Sequence, residues 1–309
     1  MDSTSPLFLL LSSELPGRQL KSYIRSLLFE TQIRSLVNDL YNMHSFRPTF
    51  LLTALVAHYG LARAQCPAVW TEVAADLKTT FLDTDGNCND DARAAIRLAF
   101  HDCFPEACDG SIILADECTE RAENTQMVDI CSILGDKATQ YSVGTADLIQ
   151  FAAAFGIASC PGLPSISVKV GRVDSSTANP TGQMPSPNDN ATALIAAFAA
   201  KGFSATELVA LVGAHSAAKN LDGDAFDSTV DDLDTVFYNE TADGTAPASL
   251  NSDVYLSNST QTSADWNTFG ADASAWADAF VPAMEKLSLL GNDEANLTDC
   301  SSVIVEAFA

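Results

Sequence analysis

Apolar side chains recur at helical spacing along most of the chain beyond residue 64, with polar positions between them. Five segments carry the pattern, over residues 68–81, 91–104, 147–159, 191–201 and 273–290. A sixth is marked by its start. Ser204-Ala-Thr-Glu207 is a capping-box signature ahead of "LVALVGAHSA", and it predicts a helix with His215 towards its C-terminal end. Alternation of period two is confined to "ISVKVGR", where a short hairpin is expected. The following "SSTANPTGQMPSPNDN" is rich in Pro, Asn and Ser and reads as a long loop. No internal repeat and no membrane span is visible. The expectation is a mainly α protein with few short strands, built as two helical halves with a site between them.

The N-terminal part reads differently. Residues 1–42 contain no cysteine and balance their basic and acidic side chains, unlike the acidic, cysteine-bearing chain beyond residue 64. Met43 then opens "MHSFRPTFLLTALVAHYGLARAQC", with Arg47 in a basic region, an apolar run from Phe50 to Ala57, and Ala62-Arg63-Ala64 before Gln65. That is the layout of a signal peptide with its cleavage site, and the run is too short for a membrane helix. The expected division is a non-mature extension over 1–42, a signal peptide over 43–64 and a mature protein over 65–309. A structured amphipathic extension over 1–64 is the other reading.

Composition narrows the function. The chain of 309 residues is 47% hydrophobic, which describes a globular protein, and its net charge is −24. Such a field repels nucleic-acid phosphates and anionic lipid, so no nucleic acid and no membrane is expected as a partner. A solvated acidic surface accounts for most of the charge, and cation binding for some of it. The eight cysteines form no C-x-x-C unit, so disulfides in a secreted, extracellular protein are the better reading than zinc. Sequons at Asn190, Asn239, Asn258 and Asn296 point the same way towards a glycoprotein.

Of the four histidines, only His101 and His215 lie beyond residue 64. Arg97 and His101 are four residues apart, so a helix projects both from one face. A neutral imidazole there can take a proton from a bound peroxide and return it to the departing oxygen. A neighbouring guanidinium stabilises the negative charge that develops as the O–O bond breaks. The ordinary alternative is a packed histidine beside a surface arginine.

The flanking residues bear on that choice. "RLAFHDC" (residues 97–103) resembles the distal-side motif of the plant and fungal haem peroxidases, and "LVGAHSAAK" (residues 211–219) resembles their proximal motif. The resemblance runs from about Cys66 to Val305 and is nearest to the secreted fungal class II enzymes. It implies a two-domain helical haem-peroxidase fold, with haem b between a distal half over about 65–190 and a proximal half over about 191–309. His101 would be the distal acid–base and Arg97 its cationic partner. Phe100 would pack over the porphyrin, and His215 would be the axial iron ligand. Asp253, in "SLNSDVYL", would accept a hydrogen bond from the other ring nitrogen of His215. Asn124 matches the asparagine that orients the distal histidine, although its spacing from the preceding Glu120 departs from the usual pattern. Asp222 matches a residue near a haem propionate.

The same resemblance implies two calcium sites of oxygen ligands. Asp102, the Ala107 carbonyl, Asp109 and Ser111 would form the distal one. Ser216, Asp227, Thr229, the Asp232 carbonyl and Asp234 would form the proximal one. It also implies the disulfides Cys66–Cys300, Cys88–Cys160 and Cys103–Cys108, the last matching a short bridge of plant secretory peroxidases, and leaves Cys118–Cys131. At the positions where class II enzymes hold manganese, this chain has Asp90, Ala94 and Leu221, one oxygen ligand of three. Where the lignin-oxidising type has a surface tryptophan it has Ala210, and Trp266 and Trp276 are expected in the core. The implied activity is therefore a generic, low-redox-potential peroxidase. It would use hydrogen peroxide to oxidise phenolic and other small aromatic donors by one-electron steps at the haem edge, as a monomer. A manganese peroxidase with atypical ligands, or a secreted haem- and calcium-binding glycoprotein with little turnover, are the alternatives.

Overall fold

The computed structural model describes residues 65–163 and 165–309. The expectations for 1–42 and 43–64 lie outside the described residues. Thirteen α-helices are found among them: α1 Val69–Phe81, α2 Asp90–Cys103, α3 Ser111–Leu114, α4 Glu117–Glu120, α5 Val128–Tyr141, α6 Thr145–Ser159, α7 Ala191–Ala200, α8 Ala205–Val212, α9 Val236–Asp243, α10 Asn251–Asn258, α11 Ser263–Ala271, α12 Ala273–Leu287 and α13 Ser301–Ala307. The fold is thus mainly α. Among the described residues no single helix is long and apolar enough to cross a membrane.

α6 explains its own position. Its residues from Thr145 to Ile157 are all buried, as expected of a helix that is apolar on every side. α2 lies against it so closely that a Cβ on Gly156 would come within 2.8 Å of the Ala92 carbonyl oxygen. α1 covers the same core with Val73, Leu77 and Phe81, whose ring meets Phe155 edge-on at 6.3 Å. α2 is started by Asn89, whose side-chain oxygen accepts the Asp91 and Ala92 backbone N–H groups.

A second packing centre forms around Tyr238, Trp266 and Trp276, all fully buried. Their polar tips are satisfied by main chain: Tyr238 Oη donates to the Val209 carbonyl at 2.8 Å, Trp266 Nε1 to Tyr238 at 2.9 Å, and Trp276 Nε1 to Ala210 at 3.0 Å. Gly213 fits beneath them because it has no side chain. A Cβ there would lie 2.4 Å from Tyr238 Oη and 2.5 Å from Trp276 Nε1. The Ser204–Glu207 capping box is present at the start of α8.

Three local expectations need correction. "ISVKVGR" makes no hairpin: Lys169–Val170 (β1) pairs antiparallel with Thr298–Asp299 (β2), more than a hundred residues away. The alternation is real, but its partner comes from the C-terminal region. The α8 helix ends at Val212, and His215 sits in the following 3₁₀ segment Gly213–Ala217 rather than in an α-helix. α12 stops at Leu287 and not at 290.

Four disulfides lock this arrangement: Cys66–Cys300, Cys88–Cys160, Cys103–Cys108 and Cys118–Cys131. Bridges of this kind stabilise by on the order of 2–4 kcal/mol each, chiefly through the unfolded chain.

Candidate active site

α2 brings Arg97, Phe100 and His101 onto one side, and the ring of His101 is buried. His101 Nδ1 lies 2.8 Å from Asn124 Oδ1, and Asn124 Nδ2 donates to the Glu117 carbonyl at 3.1 Å. That second bond fixes which end of the amide is the oxygen. A carbonyl oxygen can only accept, so His101 Nδ1 carries the proton and Nε2 is the free base. Arg97 agrees with this assignment, since its Nε donates to His101 Nε2 at 3.3 Å. Burial, reinforced by the Arg97 charge and opposed by Asn124, pushes the His101 pKa down to about 3. The ring is neutral over the whole ordinary pH range and ready to accept a proton.

Arg97 is itself held by Gln126 Oε1 and the Glu123 carbonyl. Phe100, half-buried, stacks with Phe198 at 6.1 Å and meets His101 edge-on at 5.9 Å. The residue that backs Asn124 is Glu117, whereas Glu120 lies outside this chain of hydrogen bonds. Glu117 is buried and pairs with Arg121 at 2.6 Å. Sequence reasoning missed it. The available signal was a second acid in "ECTE", seven positions before Asn124.

His215 presents a parallel case. Its Nδ1 lies 2.9 Å from Asp253 Oδ2, a buried carboxylate at the start of α10. A carboxylate accepts, so Nδ1–H donates and the Nε2 lone pair is left for a metal. Phe226 and Phe237 flank the ring at 5.6 and 5.7 Å. These donors fit an axial imidazole for haem iron. Asp222, seven residues after His215, lies in an exposed turn where its backbone N–H donates to Asn220 Oδ1.

Among the described residues no group of three His, Cys, Asp or Glu side chains is gathered as a metal centre. The two loops beside the histidines instead mix carboxylates with hydroxyls and main chain. On the distal side, Asp102 accepts the Gly110 and Ile112 N–H groups at 3.1 and 3.4 Å, and Asp109 accepts Ser111 N–H at 3.1 Å. The Cys103–Cys108 bridge closes this loop next to Ala107. On the proximal side, Ser216 Oγ lies 2.8 Å from Asp227 Oδ2, 3.0 Å from the Asp232 carbonyl and 3.3 Å from Asp234 Oδ1. Burial pushes Asp102 up to about 8 and Asp227 up to about 6, with neighbouring acids adding to both. Each loop also holds one buried hydroxyl without a hydrogen-bond partner, Ser111 Oγ and Thr229 Oγ1. Crowded acids and orphaned oxygens are what a hard divalent cation would satisfy.

At the positions compared with a manganese site, Asp90 is already engaged by Lys219 at 2.8 Å and Arg93 at 2.7 Å. Lys219 first and then Arg93 hold its carboxyl below the usual range. Ala94 and Leu221 offer no side-chain oxygen. Ala210 is fully buried, and all three tryptophans of the chain are buried with it.

Comparison with known proteins agrees with this chemistry. Residues 71–272 match the family described as Peroxidase, and residues 276–308 match the Fungal peroxidase extension region. Manganese peroxidase 3 of Phlebia radiata is 33% identical over 270 residues, 74% of this chain and 74% of its own. The peroxidase of Arthromyces ramosus is 33% identical over 285 residues, covering 80% and 78%. A low-redox potential peroxidase of Taiwanofungus camphoratus is 30% identical over 281 residues, 82% of each chain. The chain therefore belongs to the peroxidase family in its fungal class II branch, and it is a haem peroxidase, an oxidoreductase acting on peroxide.

Proposed function

We propose that this protein is a generic peroxidase of low redox potential, which uses hydrogen peroxide to oxidise phenols and similar small aromatic donors. The observation that carries the reading is the pair of histidines, each with Nδ1–H committed to a buried acceptor and its lone pair on Nε2, which in His101 faces the Arg97 guanidinium. His215 would hold haem b through Nε2, with Phe100 against the porphyrin and Asp222 towards a propionate. Haem, when bound, supplies the redox centre that takes up the oxidising equivalents of the peroxide. His101 Nε2 accepts the proton of the bound hydrogen peroxide and returns it to the departing oxygen, which leaves as water. The Arg97 guanidinium stabilises the charge on that oxygen as the O–O bond breaks. Two donors then each give up one electron and one proton, and the second oxygen leaves as water.

The relatives' names differ, one a manganese peroxidase and another a low-redox potential peroxidase, so the reading turns on this chain's own side chains. Asp90 committed to two cations, the aliphatic Ala94 and Leu221, and the burial of every tryptophan support donor oxidation at the haem edge. The loop around Met184 and Pro187 would border that opening. Two calcium ions, one in each acidic loop, would tether the segments carrying the histidines. A distal half over 65–190 and a proximal half over 191–309 follow from the same reading. So does a secreted, extracellular monomer that begins at Gln65 after removal of the 43–64 signal peptide, with no nucleic acid or membrane as partner.

Steady-state turnover with Mn²⁺ as sole donor tests the donor class. No saturable turnover is expected, while phenols are consumed. Saturable Mn³⁺ formation would overturn this part of the reading.

A further inference from the structure

The long loop between β1 and α7 does more than border an opening. It is pinned at several points: Asp174 accepts the Thr145 and Ala146 N–H groups, Ser175 N–H donates to the Asp109 carbonyl, and the Pro187 carbonyl accepts Ser252 N–H beside Asp253. Asn179 lies within this stretch and is buried. Three of its polar groups are spent on the distal side. Its backbone N–H donates to Glu117 Oε1 at 2.7 Å, its Nδ2 donates to the Asp102 carbonyl at 3.1 Å, and its carbonyl accepts Arg121 Nη2.

Those partners are the two supports of His101. The Asp102 carbonyl belongs to the last turn of α2, where main-chain acceptors have no partner within the helix. It also belongs to the residue that follows His101. Glu117 is the residue whose carbonyl holds Asn124, and Asn124 in turn holds His101 Nδ1. One side chain and its own backbone therefore reach both the residue that follows His101 and the residue that holds Asn124. A buried amide with its groups committed in this way is costly to disturb.

We propose that Asn179 is a positioning residue for the peroxide-cleaving step, holding α2 and Glu117 in register so that His101 Nε2 stays aimed beside Arg97. This rests on the reading of His101 as the acid–base group. Asn179 touches neither peroxide nor donor, so its removal acts on the first half-reaction alone. Small displacements of a positioned group cost heavily in rate.

The test uses the full-length holoprotein and stopped-flow measurement of the two half-reactions. Asn179→Ala is expected to lower the second-order rate constant for hydrogen peroxide by about tenfold. Haem content, the Soret band and the rate of phenol oxidation after one equivalent of peroxide should stay unchanged. Asn179→Asp keeps the size but turns an acceptor towards the Asp102 carbonyl, and should lose at least as much. Val173→Ala, in the same loop but 82% exposed, serves as the unaffected control. Equal slowing of both half-reactions, no slowing in either variant, or failure of both variants to fold would overturn the proposal in favour of a purely structural asparagine. His101→Ala measured alongside separates the two readings. If it slows peroxide cleavage while the Asn179 variants do not, only this inference fails. If it too has no effect, the acid–base assignment fails first.

Discussion

Asn124 Oδ1 lies 2.8 Å from His101 Nδ1, and the same amide donates from Nδ2 to the Glu117 carbonyl. The asparagine thereby decides which imidazole nitrogen is protonated. His101→Ala removes the base and should slow peroxide cleavage by about 10²–10⁴-fold. Asn124→Ala leaves the base but frees its ring, and should have a smaller effect of the same sign. Transient kinetics with peroxide as the varied reactant checks both.

The depressed pKa of His101 sets an acid limit. Protonation of Nε2 abolishes the base, and burial places that event at about 3. The rate constant for peroxide should therefore be flat through neutral pH and fall only below about 4, whereas an unperturbed histidine would begin to fail near 6.5. The stability consequence has the same sign. Between about 3 and 6.5 the unfolded chain binds this proton and the folded one does not, so His101 disfavours the folded state as pH falls through that window. A stopped-flow pH series is the measurement.

Asp253→Asn tests the other histidine. The amide oxygen can still accept from His215 Nδ1, but the buried anion is gone. Loss of such a partner typically costs about 10–100-fold in metal affinity or activity. The bound iron should also become easier to reduce, which potentiometric titration of the Soret band reads directly.

Removal of calcium is the fourth test. Chelation should lower the melting midpoint by about 5–10 °C, with recovery on adding Ca²⁺ but not Na⁺. Ser111→Ala and Thr229→Ala each delete an orphaned hydroxyl, so each should raise the Ca²⁺ concentration needed for that recovery.

The elements that carry the site were legible because local rules and tertiary packing agree there. α2 has an N-cap, an apolar stripe and the Arg97–His101 spacing in a single segment, and α8 announces itself by its capping box. What escaped was held together from a distance. Lys169–Val170 alternates in sequence, but the strand it needs lies at Thr298–Asp299, and no local signal connects them. Glu117 was overlooked because four-residue α4 is too short to show periodicity, and it is held in place by Arg121 and Asn179. α5 carries Gly135 and a mostly polar surface, so only Ile130, Cys131, Leu134 and Ala138 record its buried side.

The bridge from Cys66 to Cys300 spans 234 positions and joins the approach to α1 with the entry to α13. Between those two cysteines the polypeptide is a covalent ring. A single protease cut anywhere inside it, the exposed residues before α7 included, opens the ring without releasing a piece. The nicked enzyme would migrate as an intact band until a reductant is added, so damage to this protein in a digesting medium has to be sought on reducing gels.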